Sequence, residues 1–129
     1  MRKHLAIFIG PAIEKILVGE KAVDGRFSRS RVLPFCAVAK NDIIYLKESA
    51  GDIVGQVVVD NVLYYENLNP KSIKILRREY GESLKTDDKF WQAKSKSRFA
   101  TLVFLKKPER FLTPMKFKKK DRRPWLVID

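Results

Sequence analysis

Lys21, Asp24 and Arg26 stand within one short stretch and combine the residue types that hold an anion or move a proton. An ammonium and a guanidinium both donate hydrogen bonds to phosphate or carbonyl oxygen, the guanidinium as a planar fork. A carboxylate set between two cations can act as an acceptor or a base. In an extended chain side chains alternate faces, so residues two or four apart share one. Asp24 and Arg26 meet that condition. Lys21 and Arg26 are five apart and do not, but a bulge at Gly25 would bring them together. Convergence makes an anion or base pocket; without it, the segment is a solvated charged hairpin with Asp24 paired to Arg26. Acid–base work would require Lys21 to be neutral part of the time, which burial and Arg26 favour and Asp24 opposes.

A second concentration of charge lies near the C-terminus. Lys106, Lys107, Arg110, Lys116, Lys118, Lys119, Lys120, Arg122 and Arg123 face only Glu109 and Asp121, with Phe111, Phe117 and Trp125 interleaved. Positive charge tracks a phosphate backbone and aromatic faces stack on bases. Phe111 and Trp125 are expected in the core, and Lys118 to Arg123 on phosphates. Arg29 and Arg31, in a basic loop beside the first cluster, extend the same field. The whole chain has 27 Lys and Arg against 15 Asp and Glu, a net charge of +12. An excess of that size attracts polyanions, with nucleic acid or a nucleotide expected ahead of an anionic membrane.

Other chemistries are excluded. One cysteine, Cys36, and one histidine, His4, provide neither a disulfide nor a Cys/His metal site, so no metal or cofactor is expected. There is no glycine-rich phosphate loop, no Ser/His/Asp set and no Cys/His nucleophile pair. The apolar stretch Leu5 to Ile9, closed by Gly10-Pro11, is too short to cross a bilayer, and a soluble cytoplasmic protein is expected. Cys36 reads as a small buried hydrophobe, His4 as a satisfied structural contact, and Trp91, Tyr64 and Tyr65 as core aromatics.

These residues need a frame. The 129 residues suit one domain, with no repeat, linker or composition break. His4 to Ile9 reads as a strand, Pro11 opens a helix with Ile13, Ile16 and Leu17 on one stripe, and Gly19 stops it. Lys21 to Phe27 is extended. Ile43 to Leu46 and the long run Ile53 to Tyr65 are strands, the second bent as around a barrel. Asn69-Pro70 starts a helix ending at Gly81, and a weaker one spans about Lys85 to Ala93. Arg98 to Leu105 is a strand, Lys107-Pro108-Glu109 a turn, and Trp125 to Ile128 a last strand. Five or six strands with two or three short helices make an α+β class built on a small mixed barrel.

The segment carrying Gly19, Lys21, Asp24 and Arg26 resembles the GxKxxExR signature of ASCH domains, a PUA-like barrel family, with Asp24 in place of the family's Glu. It sits after a strand and a short helix near the N-terminus, as in that family. Lys40 to Tyr45, Ala100 to Leu105 and Lys119 to Trp125 are similar to later parts of such chains, so the likeness spans residues 1–129 as one ASCH/PUA-like domain. The resemblance implies a cleft beside the motif that faces RNA or a modified nucleotide. One branch similar to ASCH consists of acetylcytidine amidohydrolases, which use the motif Lys as nucleophile or base, a Thr three residues later and a Glu on a downstream helix. Lys21 matches the Lys, Asp24 stands where that branch has Thr, and Glu79, or Glu82, lies in the helical region. The expectation is an RNA- or nucleotide-binding module using Lys21, Arg26, Arg29, Arg31, Lys118, Lys119, Lys120, Arg122 and Arg123. The alternative is a hydrolase with Lys21, Asp24 and Glu79 in its site; oligomeric state stays open.

Overall fold

The computed structural model describes residues 1–118 and 122–128. The chain opens on β1 (Lys3–Phe8), whose His4, Leu5 and Ala6 are fully buried. Helix α1 (Ala12–Leu17) buries Ile13 and Ile16, and Gly19 at φ +83° turns the chain out of it. A residue with a side chain is strained in that conformation, which is why glycine stops the helix. Then follow β2 (Val23–Ser28), β3 (Ile43–Glu48), β4 (Ile53–Tyr65), α2 (Pro70–Leu84), α3 (Asp88–Ala93), β5 (Phe99–Met115) and β6 (Trp125–Val127).

The six strands form one sheet in the order β2-β5-β4-β3-β1-β6. β1 and β3 run parallel, and the other neighbours run antiparallel. The sheet is mixed and curls into a half-barrel of the α+β class. Two apolar clusters fill it. One gathers Phe8, Ile13, Ile16, Leu46, Val57 and Trp125 between α1 and the β1 side. The other gathers Val23, Phe27, Ile73, Leu76, Leu84 and Trp91 between β2, α2 and α3.

His4 makes the structural contact expected of it. Trp125 donates its indole N–H to His4 Nδ1 at 3.1 Å, so the ring proton sits on Nε2, which donates to Asp42 at 2.8 Å. Burial disfavours the Asp42 carboxylate, but hydrogen bonds from His4 and from the N–H groups of Arg2 and Ala39 outweigh it and hold its pKa below the ordinary value.

Four expectations need correction. Helix α2 runs through Gly81 to Leu84, which is fully buried, and the left-handed residue closing it is Lys85 at φ +53°. One more turn buries a leucine, and that outweighs the glycine's local preference. Lys107-Pro108-Glu109 is no turn: β5 passes straight through it, with Lys107 at φ +51° and a register shift against Gln56–Val58. Proline, lacking an N–H, is accommodated at such a bulge. β2 pairs with β5 in unbroken register, so Gly25 hosts no bulge. Cys36 is exposed at φ +59° rather than buried. Among the aromatics, Trp91 and Trp125 are buried, whereas Phe111 is only half-buried against Tyr45.

Candidate functional site

After Gly19 the chain folds back on α1, and the N–H groups of Glu20 and Lys21 both donate to the carbonyl of Lys15, at 2.8 and 3.0 Å. That turn points Lys21 inward, leaving it 6% exposed, with its ammonium donating to the carbonyl of Leu84 at the end of α2. A helix C-terminus presents unpaired carbonyls and the negative end of its dipole, so a lysine suits the position. Burial lowers the Lys21 pKa; Asp24 pulls it back up, while Arg26 and Lys15 push it further down, and the net shift is downward.

Asp24 and Arg26 share a face of β2, two residues apart, as alternation requires. Arg26 donates from Nε to Asp24 Oδ2 at 2.8 Å, from Nη2 to the carbonyl of Ile7 at 3.2 Å, and weakly from Nη1 to the carbonyl of Pro124 at 3.5 Å. Its guanidinium also lies 4.8 Å from the Phe8 ring centroid and 5.2 Å from that of Trp125. Arg26 therefore ties β2 to β1 and to the chain entering β6, and it orients the Asp24 carboxylate. Gly25, between them, lies under α2: a Cβ there would sit 2.8 Å from Leu84 Cδ2. Close approach, not a bulge, is what glycine supplies at this position.

Lys21, Asp24 and Arg26 line one cleft of about 880 Å³, where the two apolar clusters meet. The volume falls in the range of small-molecule sites, roughly 300–1,000 Å³. Its walls are largely apolar: Phe27, Phe35, Phe90, Phe99 and Trp125 contribute rings, and Pro11, Pro34 and Pro124 contribute flat edges. Rings held edge to face, such as Phe35 on Phe99 at 5.2 Å and Phe27 on Phe90 at 5.8 Å, make those walls firm. A flat heteroaromatic group can stack there, with Lys21 and Asp24 at the polar end of the cleft.

The other candidates fall elsewhere. Arg29 and Arg31 are exposed beside the cleft and do not line it; Arg31 lies over Phe35 at 4.8 Å and within 3.5 Å of Glu66. Glu79 and Glu82 are exposed on α2 and take no part in the lining. Lys118, Arg122 and Arg123 are exposed and likewise outside the lining. Lys119 and Lys120 lie outside the described residues. Sequence reasoning passed over Lys15, Lys85, Thr86, Asp87 and Lys94, which do line the cleft. Ending α2 at Gly81 hid Lys85 and Thr86 as junction residues, and α1 marked Lys15 only as a polar position. No group of His, Cys, Asp and Glu among the described residues could hold a metal ion, and no described helix is long and apolar enough to cross a membrane.

Comparison of the whole architecture with solved structures finds the ASCH protein of Zymomonas mobilis at a TM-score of 0.73 and 14% identity, over 99% of this chain and 88% of that one. A single-substitution variant of the same protein gives 0.77 and 12% identity, over 100% and 91%. The N-terminal domain of Staphylothermus marinus McrB gives 0.50 and 14% identity, over 88% and 76%. No family model and no curated protein matches the sequence. The chain has the ASCH/PUA-like fold, reached through a sequence that shares few residues with those structures.

Proposed function

We propose that this ASCH-like domain binds RNA, or a nucleotide-like ligand, in the cleft beside Lys21, Asp24 and Arg26. The observation that carries the reading is the convergence of those three side chains on one ring-lined hollow. A base stacks on the aromatic walls with the Asp24 carboxylate as an acceptor for its edge, Lys21 supplies a donor, and the net charge of +12 draws the phosphates in. Arg29, Arg31, Lys118, Arg122 and Arg123, exposed and outside the lining, add to the positive field that draws the backbone in.

The test is a titration of short single-stranded RNA at two salt concentrations. With about three phosphates neutralised, affinity falls roughly 20-fold between 50 and 200 mM salt. Lys21→Ala weakens binding more than Lys118→Ala does, because only Lys21 reaches into the cleft. Binding indifferent to salt, or indifferent to Lys21, refutes the proposal.

A hydrolase reading draws on one observation, the burial that pushes the Lys21 pKa down toward a nucleophilic amine. Against it, Glu79 is outside the cleft, and the carboxylates lining it are Asp24 and Asp87. Incubation with N-acylated cytidine decides: deacylation lost in Lys21→Ala supports an enzyme, and intact substrate supports the binding module.

A further inference from the structure

The cleft holds more positive charge than the Lys21 cluster needs. The Lys21 N–H is bonded to the Lys15 carbonyl and its ammonium to the carbonyl of Leu84, the residue before Lys85. Both line the cleft, as does Lys94 at the end of α3. Five cations thus meet two carboxylates, and both carboxylates are already engaged. Asp24 accepts from Arg26, and Asp87 caps α3 by accepting from the Phe90 N–H at 2.9 Å. Among the described residues, no carboxylate forms an ion pair with Lys15, Lys85 or Lys94.

Clustered like charges beside a buried ammonium destabilise a fold unless something of opposite sign joins them. A second oddity stands at the same place. Thr86, next to Lys85 and also lining the cleft, has the one buried side-chain oxygen or nitrogen among the described residues that lacks a hydrogen-bond partner. An unsatisfied buried hydroxyl is uncommon and calls for an explanation. Surplus donors from α1, from the segment after it and from the α2–α3 junction suit a group with several strong acceptor oxygens and negative charge.

We infer that Lys15, Lys21 and Lys85 form a phosphate subsite at the helix side of the cleft, so that the ligand is phosphorylated and its base lies against the rings. This rests on the nucleotide reading of the cleft. It directs the Lys21 donor to the phosphate and leaves Asp24 to the base edge. The phosphate is either a terminal monoester or a backbone diester, and both offer the same oxygens to the same ammonium groups.

The experiment is isothermal titration of the full chain with the four ribonucleosides, their 5′-monophosphates, and a tetraribonucleotide carrying hydroxyls at both ends. The phosphorylated ligands are expected to bind at least about tenfold more tightly than the nucleosides. Lys15→Gln and Lys85→Gln each reduce that advantage several-fold. Lys85 is exposed and Lys15 only half-buried, so both variants keep the fold. A preference for the monophosphate identifies a terminal phosphate, and a preference for the tetranucleotide identifies the backbone. Equal affinity for nucleosides and phosphorylated ligands, or an advantage untouched by both variants, overturns the subsite and leaves the base-binding cleft standing. No binding by any of the three ligand classes overturns both.

Discussion

Replacing Arg26 by Met removes the cation while keeping a stem that still packs on Phe8 and Trp125. The energetic consequence follows from the geometry of the pair. The Arg26 and Asp24 side chains are 17% and 9% exposed, so this is not the surface ion pair that contributes nearly nothing. A hydrogen bond to a charged group contributes about 1.5–3 kcal/mol. Arg26→Met also leaves the Asp24 carboxylate buried without its donor, which brings the total cost to about 3–5 kcal/mol. Asp24→Asn keeps an oxygen that can accept from Nε and forfeits only the charge, at a cost of about 1–2 kcal/mol. In the double variant no buried carboxylate is stranded, so its cost falls short of the sum of the two by about 1.5–3 kcal/mol. Urea denaturation of the four proteins at pH 7 measures that coupling directly. A domain of this size has about 5–15 kcal/mol to lose, so each variant still gives a transition. A coupling below about 0.5 kcal/mol would show that Asp24 and Arg26 behave as solvated neighbours. The cleft would then lack the rigid polar end on which its chemistry depends.

Three further outcomes follow from the same contacts. Gly25→Ala places a Cβ 2.8 Å from Leu84 Cδ2 and 3.1 Å from Phe27 Cε1, and it costs about 1–3 kcal/mol in chemical denaturation; no loss would mean that α2 is free to lift away. Lys21 has its pKa lowered in the folded chain, so the unfolded chain binds more protons between the folded pKa and the ordinary value, and stability rises with pH through that alkaline window. Lys21→Met abolishes the rise, and parallel denaturation curves of the two proteins as the pH is raised would refute it. Thr86→Val replaces an unpartnered buried hydroxyl by a methyl group of the same shape and stabilises the unliganded chain by about 1 kcal/mol. A clear loss of melting temperature would show that the hydroxyl is bonded in solution.

The legible parts of the fold are those whose signals are local. Asn69-Pro70 declares the start of α2 by itself, because the Asn69 side chain accepts from the Ser72 N–H at 2.9 Å and proline needs no donor there. Alternation along β2 put Asp24 and Arg26 on one face in the same way. The misread parts are those settled by partners far along the chain. Whether Lys107-Pro108 turns or bulges depends on β4, which holds β5 on both sides of the proline. Gly81 looks like a stop until the cavity under Gly25 calls Leu84 in. Cys36 sits between Phe35 and Ala37, yet no strand or helix there fixes which way it faces, and it turns outward. The convergence of Lys21 with Asp24 and Arg26 was reachable only as a condition. What brings Lys21 in is the carbonyl of Leu84, 63 residues away.

That carbonyl changes what the motif explains. Lys21 closes the end of α2, Arg26 clamps β1 and the approach to β6, Gly25 admits Leu84, and Asp24 balances Arg26. Architecture accounts for the residue type at each of these four positions, and what speaks for a ligand is the ring-lined hollow on which Lys21, Asp24 and Arg26 converge. Lys15, Lys85 and Lys94 are in the opposite position. They hold no described ion pair, yet three separate elements deliver them to the same cleft. Ligand recognition should therefore separate from stability along this line. Arg26→Met should lower both the denaturation midpoint and the affinity for RNA, since it loosens the frame. Lys85→Gln should lower affinity without lowering the midpoint. If instead Lys85→Gln binds RNA as the parent does while Arg26→Met loses binding only in proportion to its unfolding, the positive cleft is a by-product of the way this half-barrel is tied together.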